Sequence, residues 1–510
     1  MSYKDRLSEL ERDSDRPLTE QIVAVFRDAI AAGDLGPEEK LPPTRALAEL
    51  AGVNHLTAAR AYRRLAELGL VTSRVGSGTF VRGTGAAARR NPAAASGTRG
   101  STAWQHYALP ELEGAYVDSI LVDLFAGAEA RGDLIPLMTG YPSERTFPTE
   151  LLEELTTKAQ ERCRGAAWQY APAEGVAALR EALADHGRLD GLEDGPERIV
   201  VTTGARQALT VVARAVTRPG DTIACEAPSF AGILRAVRSA GADVLGVPAD
   251  DDGLDVDALE QLLSRHEIRM LVLQPRLQNP TGRDLSPERR ERLAELAVRH
   301  GFFIVEDAIY APLRFEGTDH GSLRPLAPEH VIYIHSFSKV LSPGLRAGWV
   351  VASGPVLDRI AQEKRTEDMT SATLPQLITA DFLNGGHYPE QIAHSIDFHR
   401  TGRDAMVAAL DEHLGGIAEL VHQPLGGGHV WVRTNEALDE RLLYGEAVQH
   451  GVNFVPGGAT MPGRPDGTLM RLSFSFLDPD ELNEGVRRLG LAIRSLAGAE
   501  RPLRTSLPLA

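Results

Sequence analysis

The chain has little cysteine and no long run of apolar residues. Its two cysteines, Cys163 and Cys225, are too few for a disulfide framework and fit a reducing compartment. No uninterrupted apolar stretch approaches the roughly 18–20 residues that span a bilayer. The first residues are charged and lack the apolar core of a signal peptide. We therefore expect a soluble, cytoplasmic protein that does not associate with a membrane.

The chain also has fewer basic residues than acidic ones. The chain has 54 lysine and arginine residues against 70 acidic ones, a formal net charge of −16. This charge argues against a general polyanion binder, although a local basic patch can still exist within an acidic chain. At 510 residues the chain is too long for one hydrophobic core, so we expect two or three domains.

The first eighty residues show a pattern of three helices. Residues 18–33 repeat apolar side chains at helical spacing, and glycine ends this segment. Thr44 is expected to cap a short helix over 45–51, and Asn54 a third helix over 55–68. Two short helices joined by a tight glycine turn are typical of a helix-turn-helix.

The basic residues of the chain concentrate in this segment. Residues 69–81 are predicted to form two strands around a glycine turn, a wing. Residues 40–82 include seven basic residues and only two acidic ones, which indicates a surface for double-stranded DNA. The third helix would lie in the major groove. The alternative is a small protein-interaction domain with a solvated basic face. The candidate DNA-binding residues are Arg45, Asn54, His55, Thr57, Arg60, Arg74, Gly76 and Gly78.

Residues 17–81 resemble a GntR-type winged helix. The motifs P-L-x-x-Q-I, G-x-L-x-P, L-P-x-x-R-x-L-A, G-V, A-Y-x-x-L and S-R-x-G-x-G-T-F-V occur there in order. The segment departs from the family at Pro43-Thr44, where serine is usual, and at His55, where arginine is commoner. The resemblance implies a DNA-binding domain over residues 1–83, with an operator half-site that differs from the family's typical one.

The rest of the chain has a linker and then a different pattern. Residues 84–116 are predicted to be a flexible linker, because their first part is rich in glycine, alanine and serine and lacks acids. Helical patterns then alternate with apolar β-branched segments at 198–203, 222–225, 270–273, 302–305 and 331–334. The alternation predicts a mostly parallel sheet with helices on both faces and ligands at the carboxyl ends of its strands.

Residues capable of chemistry follow these strands. Gly204 begins a helix, so the N–H groups of Ala205 and Arg206 would face a phosphate. Asp307 and Tyr310, three residues apart, are expected on one side of a helical turn. The other candidates are Phe230, Asn279, Ser336, Ser338, Lys339 and Arg346. Each alone is an ordinary turn residue, but together they supply what pyridoxal phosphate needs: a lysine that binds its aldehyde, a carboxylate for its ring nitrogen, donors for its ring oxygen and a phosphate cup.

The order of these residues along the chain is similar to that in the class I/II aminotransferases of PLP fold type I, and the resemblance covers residues 117–497. The resemblance implies Lys339 as the Schiff-base lysine, Asp307 on the pyridine nitrogen, Asn279 and Tyr310 on the ring hydroxyl, and Phe230 stacked on the ring. The implied phosphate ligands are the amides of Ala205 and Arg206 together with Ser336, Ser338 and Arg346. The implied catalytic residues are Lys339, Asp307 and Tyr310, and no metal site is expected.

The same resemblance implies a homodimer and a carboxylate site. Tyr170 would reach the phosphate of the partner subunit, and Arg471 would bind the carboxylate of an amino acid. Phe230 stands where tyrosine is frequent and Ala205 where serine is often found, yet neither change removes an essential group. The expected large domain covers about 150–380, the small α+β domain about 381–497, and the tail 498–510.

A GntR-type winged helix joined to an aminotransferase-like domain resembles the MocR-type regulators. This resemblance implies a transcriptional regulator that senses an amino-acid-like effector by external aldimine formation at Lys339. The alternative is an active amino acid aminotransferase with an appended DNA-binding domain. A third possibility is a sensor in which cofactor occupancy alone is the signal.

Overall fold

The computed structural model describes residues 3–8, 10, 18–32, 35–36, 39–67, 71–74, 78–81, 133–463 and 466–498. The chain divides into two compact units, Met1–Ser119 and Ile120–Ala510. The predicted linker lies outside the described residues, as does nearly all of the predicted tail. None of the helices in the described ranges is long and apolar enough to cross a membrane.

The first unit is a winged helix. Its elements are α1 (Tyr3–Ser8), α2 (Leu18–Ala32), α3 (Thr44–Leu50), α4 (His55–Glu67), β1 (Val71–Arg74) and β2 (Gly78–Val81). The two strands are antiparallel, with Val71 opposite Val81. Phe26, Leu47 and Leu65 are fully buried in a core that holds α2, α3 and α4 together. The predicted helix-turn-helix and wing are confirmed.

The two predicted helix caps have different outcomes. The Asn54 side chain caps α4, since its Oδ1 accepts a hydrogen bond of 2.7 Å from the N–H of Thr57. Thr44 does not cap α3 and is instead its first residue. Pro43 takes the position before the helix, with the extended backbone that a cap residue needs (φ −54°, ψ 150°), and α3 therefore begins one residue earlier than predicted.

The second unit is built on an eight-stranded sheet. Its strands are β4 (Ile199–Thr202), β5 (Thr222–Ala227), β6 (Asp243–Asp250), β7 (Gly253–Leu254), β8 (Ile268–Leu273), β9 (Phe303–Asp307), β10 (Val331–Ser336) and β11 (Gly348–Val351). Their order is β4-β11-β10-β9-β8-β5-β6-β7, with parallel pairing from β10 through β6. The five predicted strands are present, and the predicted mostly parallel sheet is confirmed.

Helices cover both faces of this sheet. They are α5 (Thr149–Cys163), α6 (Ala177–Gly187), α7 (Ala205–Val216), α8 (Ala231–Ser239), α9 (Val256–Leu263), α10 (Pro287–His300), α11 (Pro355–Asp368) and α12 (Thr373–Asn384). Alternate side chains of β10 point to opposite faces: Ile332 and Ile334 pack in one cluster with α7 and α8, whereas Tyr333 packs in another with α5 and α6. Burial on both faces explains why these strands are continuous apolar runs.

A smaller α+β part follows in the chain. Its elements are α13 (Tyr388–Leu414), β12 (Ala418–His422), β13 (His429–Thr434), α14 (Glu440–Gln449), β14 (Val452–Asn453), β15 (Val455–Pro456), β16 (Leu469–Ser473) and α15 (Pro479–Gly498). The antiparallel sheet β12-β13-β16-β15 packs on α13, α14 and α15. β14 pairs in parallel with β3 (Ile135–Pro136), so Asn453 lies opposite Pro136. This two-stranded pairing attaches segment 135–141 to the small α+β part.

Candidate functional site

A cavity of about 540 Å³ lies at the carboxyl ends of the parallel strands. Its wall includes residues that directly follow β4, β5, β8, β9 and β10, since parallel strands end at the same edge of a sheet. Segment 136–141 and residues of β14, β15 and β16 complete the wall. This one cavity is lined by Arg471, the predicted carboxylate-binding residue, and by most of the predicted cofactor residues, namely Ala205, Arg206, Phe230, Asn279, Asp307, Tyr310, Ser338, Lys339 and Arg346.

Lys339 carries the most reactive group in the cavity. Its Nζ donates a hydrogen bond to the carbonyl of Gly140 and lies 5.6 Å from the ring centroid of Tyr310. Burial lowers the pKa of the Lys339 ammonium to about 8, the charge of Arg471 contributes to this lowering, and Asp307 opposes the shift. A lysine with a lowered pKa has a larger fraction of neutral amine near neutral pH, and a neutral amine is a nucleophile toward carbonyl groups.

Asp307 is held by two donors. It is the last residue of β9, and its oxygens accept hydrogen bonds from Gln274 Nε2 at 2.9 Å and from the N–H of Ile309 at 3.2 Å. Burial raises the pKa of the Asp307 carboxyl to about 6, partly offset by these donors. The expected helical turn is absent, because the segment after Asp307 makes successive tight turns, yet Asp307 and Tyr310 both reach the cavity. Burial raises the pKa of Tyr310, which keeps the phenol protonated.

One end of the cavity is strongly cationic. α7 begins there, and the first N–H groups of a helix have no partner within it. Burial lowers the pKa of Arg206, as do the positive charges of Arg235 and Arg346. The backbone of Gly204 has φ +122°, and a Cβ added there would lie 3.2 Å from Arg346 Nη2, so glycine lets the guanidinium approach the helix. Three guanidinium groups at a helix N-terminus suit a phosphate.

The two serines of the lysine motif lie in different positions. Ser338 lines the cavity, whereas Ser336 is fully buried and is not part of its wall. The Ser336 hydroxyl donates to the carbonyl of Ala347 at 2.8 Å and lies 2.9 Å from Ser338 Oγ. Ser336 therefore orients Ser338 within the fold. The sequence did not distinguish these two roles, because both residues occur in one short motif.

Arg471 lines the same cavity as Asp307. It is buried on β16, where Nη2 donates to the carbonyl of Met138 at 2.9 Å and Nη1 to Asn279 Oδ1 at 3.3 Å. Among the described residues no carboxylate forms an ion pair with it, and burial lowers its pKa. A buried cation without a carboxylate partner is poised to bind an anion.

Three further residues of the wall were missed by the sequence reasoning. Gln274 follows β8 directly, so the rule that ligands gather at strand ends could have found it. Arg235 is four residues beyond Ala231 on α8, the spacing of one helix face, and both line the cavity. Asn453 belongs to a two-residue strand that carries no recognisable pattern.

Tyr170 lies outside the cavity wall. Its side chain is 77% exposed, and Trp168 and Met369 are 71% and 61% exposed. The Thr373 hydroxyl donates to the carbonyl of Gln169 at 2.6 Å, which ties the segment that carries Tyr170 to α12. The contact of Tyr170 with a partner subunit stays a prediction.

The candidate DNA-binding residues fall mostly on α3 and α4. Arg45, His55 and Arg60 are exposed, and Thr57 is half-buried. Asn54 is exposed, but its oxygen is used for capping. In the wing, the backbone of Arg74 lies opposite that of Gly78. The side chain of Arg74 and the whole of Gly76 lie outside the described residues.

The cavity residues fit pyridoxal phosphate. The cavity, of about 540 Å³, has a group for each of the four parts of this cofactor. A buried lysine with a lowered pKa matches the aldehyde, a buried carboxylate the ring nitrogen, Tyr310 and Asn279 the ring oxygen, and a cationic end that glycine keeps open the phosphate. Phe230 lies in the wall just before α8 and offers an aromatic face.

Comparison with known proteins agrees with this chemistry. The family "Aminotransferase class I and II" matches residues 135–489, and "Bacterial regulatory proteins, gntR family" matches residues 18–81. The chain is 34% identical to aromatic-amino-acid aminotransferase 1 of Thermococcus litoralis, over 71% of this chain and 88% of that protein. It is 28% identical to the probable rhizopine catabolism regulatory protein MocR of Rhizobium meliloti, over 96% of each chain.

A solved structure shares the fold of the second unit. LysN, the alpha-aminoadipate aminotransferase of Thermus thermophilus, is 34% identical, with a TM-score of 0.69, over 78% of this chain and 99% of that one. That structure contains N-(5'-phosphopyridoxyl)-L-leucine, a pyridoxal phosphate derivative. The cofactor of this fold is therefore pyridoxal phosphate. The chain belongs to the class I and II aminotransferase family and, with a gntR-family domain in front, has the architecture of the MocR-type regulators.

Proposed function

We propose that this protein is a DNA-binding transcriptional regulator whose aminotransferase domain senses an amino-acid-like effector through pyridoxal phosphate. One observation supports this most directly: a cavity that contains both Lys339 and the buried Arg471 occurs on the same chain as a gntR-family domain. The MocR protein of Rhizobium meliloti, which its name describes as regulatory, matches the chain over nearly its full length.

Bound pyridoxal phosphate supplies an aldehyde carbon that accepts one amine in exchange for another. Lys339 would hold that carbon, and its lowered pKa favours the neutral amine that the bond requires. Asp307 would hold a proton on the ring nitrogen, while Tyr310 and Asn279 would donate to the ring oxygen. The α7 amides, Arg206, Ser338 and Arg346 would bind the phosphate.

The effector would need an amine and a carboxylate. Its amine would take the place of Lys339 on the cofactor, and its carboxylate would pair with Arg471 in a buried setting. Such a ligand changes DNA binding only if it binds two conformations of the protein with different affinity.

A homodimer would suit both units. The exposed aromatic side chains of Trp168 and Tyr170 support an interface at that surface. A twofold dimer of winged helices would bind an operator with two half-sites, with α4 in the major groove of each. Arg60 would contact DNA from the exposed face of α4.

An active aminotransferase is the second candidate. Lys339, Asp307 and Tyr310, the three residues expected to be catalytic, all line the cavity, which supports this candidate. Turnover additionally requires that a 2-oxo acid binds after the first product leaves. The winged helix would then have a secondary role.

One experiment separates the two functions. The purified protein is titrated with amino acids while its visible absorbance is followed, and 2-oxo acids are then added. We expect one group of amino acids to shift the band to a new stable position and to change affinity for an operator selected from random duplex DNA. A band that disappears with an amino acid and returns with an oxo acid would identify an aminotransferase instead.

Arg60→Ala should weaken binding to that operator about tenfold and lower the slope of log affinity against log salt by about one. The reason is that an exposed guanidinium on α4 is lost without any change in the helix core. The measurement is fluorescence anisotropy at several salt concentrations, with the visible absorbance as a check on cofactor content. Arg27→Ala, an exposed cation on α2, removes the same charge as the matched control. Equal effects of the two changes would argue against docking through α4.

A further inference from the structure

Asn453 has a polar group that the fold does not use. The residue is 1% exposed and lines the cavity together with Lys339 and Arg471. Its Oδ1 accepts a hydrogen bond of 3.4 Å from the N–H of Met138. Its Nδ2 is buried and has no hydrogen-bond partner in the part of the chain that the structure describes. A buried donor without a partner destabilises the fold, because it has lost its hydration and gained no hydrogen bond in return.

The orientation of this amide follows from its neighbour. The backbone N–H of Met138 can only donate, so the oxygen of Asn453 must face it and the NH₂ group must face away. The residue paired with Asn453 across the strands is Pro136, whose side chain is apolar and whose carbonyl accepts a hydrogen bond from the N–H of Thr139. The donor is therefore left for a molecule held in the cavity.

Asn453 and Arg471 lie in the same wall but apart. Val455 is opposite Arg471 in the β15–β16 pair, and Asn453 is two residues earlier in the same extended stretch. Phe454 between them packs into the small-domain core, so Asn453 and Val455 both face the cavity. Two residues of extended chain span about 7 Å. This backbone spacing favours contacts of Asn453 and Arg471 with different groups of one effector.

We infer that Asn453 determines effector specificity by donating a hydrogen bond to an uncharged acceptor on the effector's side chain. The inference rests on the proposed function and narrows the effector class to α-amino acids with a side-chain amide or hydroxyl oxygen. Arg471 holds the α-carboxylate, and Asn453 Nδ2 binds the side-chain oxygen several bonds away. Pro136, Met138 and Val455 contact the apolar stem between them.

The acceptor is uncharged because Asn453 is neutral. A second carboxylate at this position would lose its hydration, and the neutral amide would not supply an opposite charge. The free energy of this desolvation exceeds the free energy gained from one hydrogen bond. A hydrocarbon side chain of the same shape would leave Nδ2 unpaired. Sites that bind a ligand oxygen by hydrogen bonding reject the analogue that lacks it.

Near-isosteric amino acid pairs test this assignment in the cofactor-loaded protein. The probes are glutamine against homoleucine, asparagine against leucine and threonine against valine, each titrated while the visible band is followed. We expect the oxygen-bearing member of at least one pair to bind about tenfold more tightly, the effect of one hydrogen bond. Glutamate and aspartate should bind more weakly than their amides.

Asn453→Leu removes the donor at nearly constant volume, and Asn453→Ala is the second variant if the first fails to fold. In either variant the tenfold preference should disappear, because the ratio within a pair is insensitive to general loss of affinity. The preserved visible band reports a folded, loaded protein. Asn435→Leu, an exposed asparagine of the same small domain, is the matched control and should keep the preference.

The possible results distinguish a failure of the role assigned to Asn453 from a failure of the proposed sensor function. If amino acids shift the band but neither member of any pair is preferred, or if Asn453→Leu keeps the preference, the role of Asn453 is wrong and the sensor function stands. Tighter binding of glutamate than glutamine would overturn the uncharged acceptor. If no amino acid shifts the band, the proposed function itself is overturned, and the inference with it.

Discussion

Lys339→Ala should abolish the visible absorbance that bound pyridoxal phosphate gives in the wild-type protein. Lys339 Nζ lies in the cavity wall beside Tyr310 and Gly140, and its lowered pKa supplies the neutral amine for the bond to the aldehyde. Alanine has no amine, so the bond cannot form. The cationic end of the cavity is unchanged, so weak, noncovalent binding of the cofactor should persist. The measurement is the absorbance spectrum after incubation with the cofactor and removal of unbound and weakly bound cofactor by gel filtration.

The control is a lysine that does not line the cavity. Lys158 is exposed on α5 and forms a surface ion pair with Glu154, so Lys158→Ala should retain the whole band. A visible band that survives in Lys339→Ala would show that another amine binds the cofactor. That result would contradict the assignment of Lys339.

Arg471→Gln should lower effector affinity by roughly 30-fold or more, since loss of one member of a buried charge pair costs about 2–5 kcal/mol. The guanidinium is buried and no carboxylate of the described chain neutralises it, so the effector's own carboxylate would be its counter-ion. Glutamine keeps a side-chain donor within the wall but has no charge. The measurement is the midpoint of the amino acid titration, followed by the visible band.

Arg433→Gln is the matched change on the neighbouring strand β13. Arg433 is exposed and lies 3.7 Å from Glu419 at the surface, so this variant should titrate like the wild type. If Arg471→Gln also titrates like the wild type, the carboxylate is bound elsewhere. Loss of the band before any addition would instead indicate a damaged cofactor site.

The local pattern of apolar and polar residues in the sequence was enough to predict most of the fold. The apolar runs that form β8, β9 and β10 are buried on both faces of the sheet. A strand buried on both faces has apolar side chains at successive positions rather than alternating apolar and polar ones, so it can be recognised in the sequence as a continuous apolar run. Helix ends were harder, because Pro43 has the backbone geometry of a cap without the side chain that sequence reasoning relies on. Asp307 and Tyr310 were expected on a helical turn, and the three-residue spacing alone could not distinguish that turn from successive tight turns.

The candidate site was predictable where residues follow strands. Asp307 and Lys339 come at or just after the ends of β9 and β10, and topology alone brings such residues to one edge of the sheet. Ser336 and Ser338 could not be distinguished, because the direction of each hydroxyl depends on the carbonyl of Ala347 in a different strand segment.

The amino-acid sequence by itself determined the two-part architecture, the parallel sheet and the cofactor class, and it predicted the lysine that would hold the cofactor. These features depend on short-range periodicity and on motifs in which neighbouring residues act together. Only the tertiary structure decided which donors remain without partners. Asn453 and Arg471 are 18 positions apart in the chain and both contact Met138, more than 300 positions earlier. Whether a buried polar atom is free for a ligand depends on every group packed around it, and packing between distant segments leaves no local pattern.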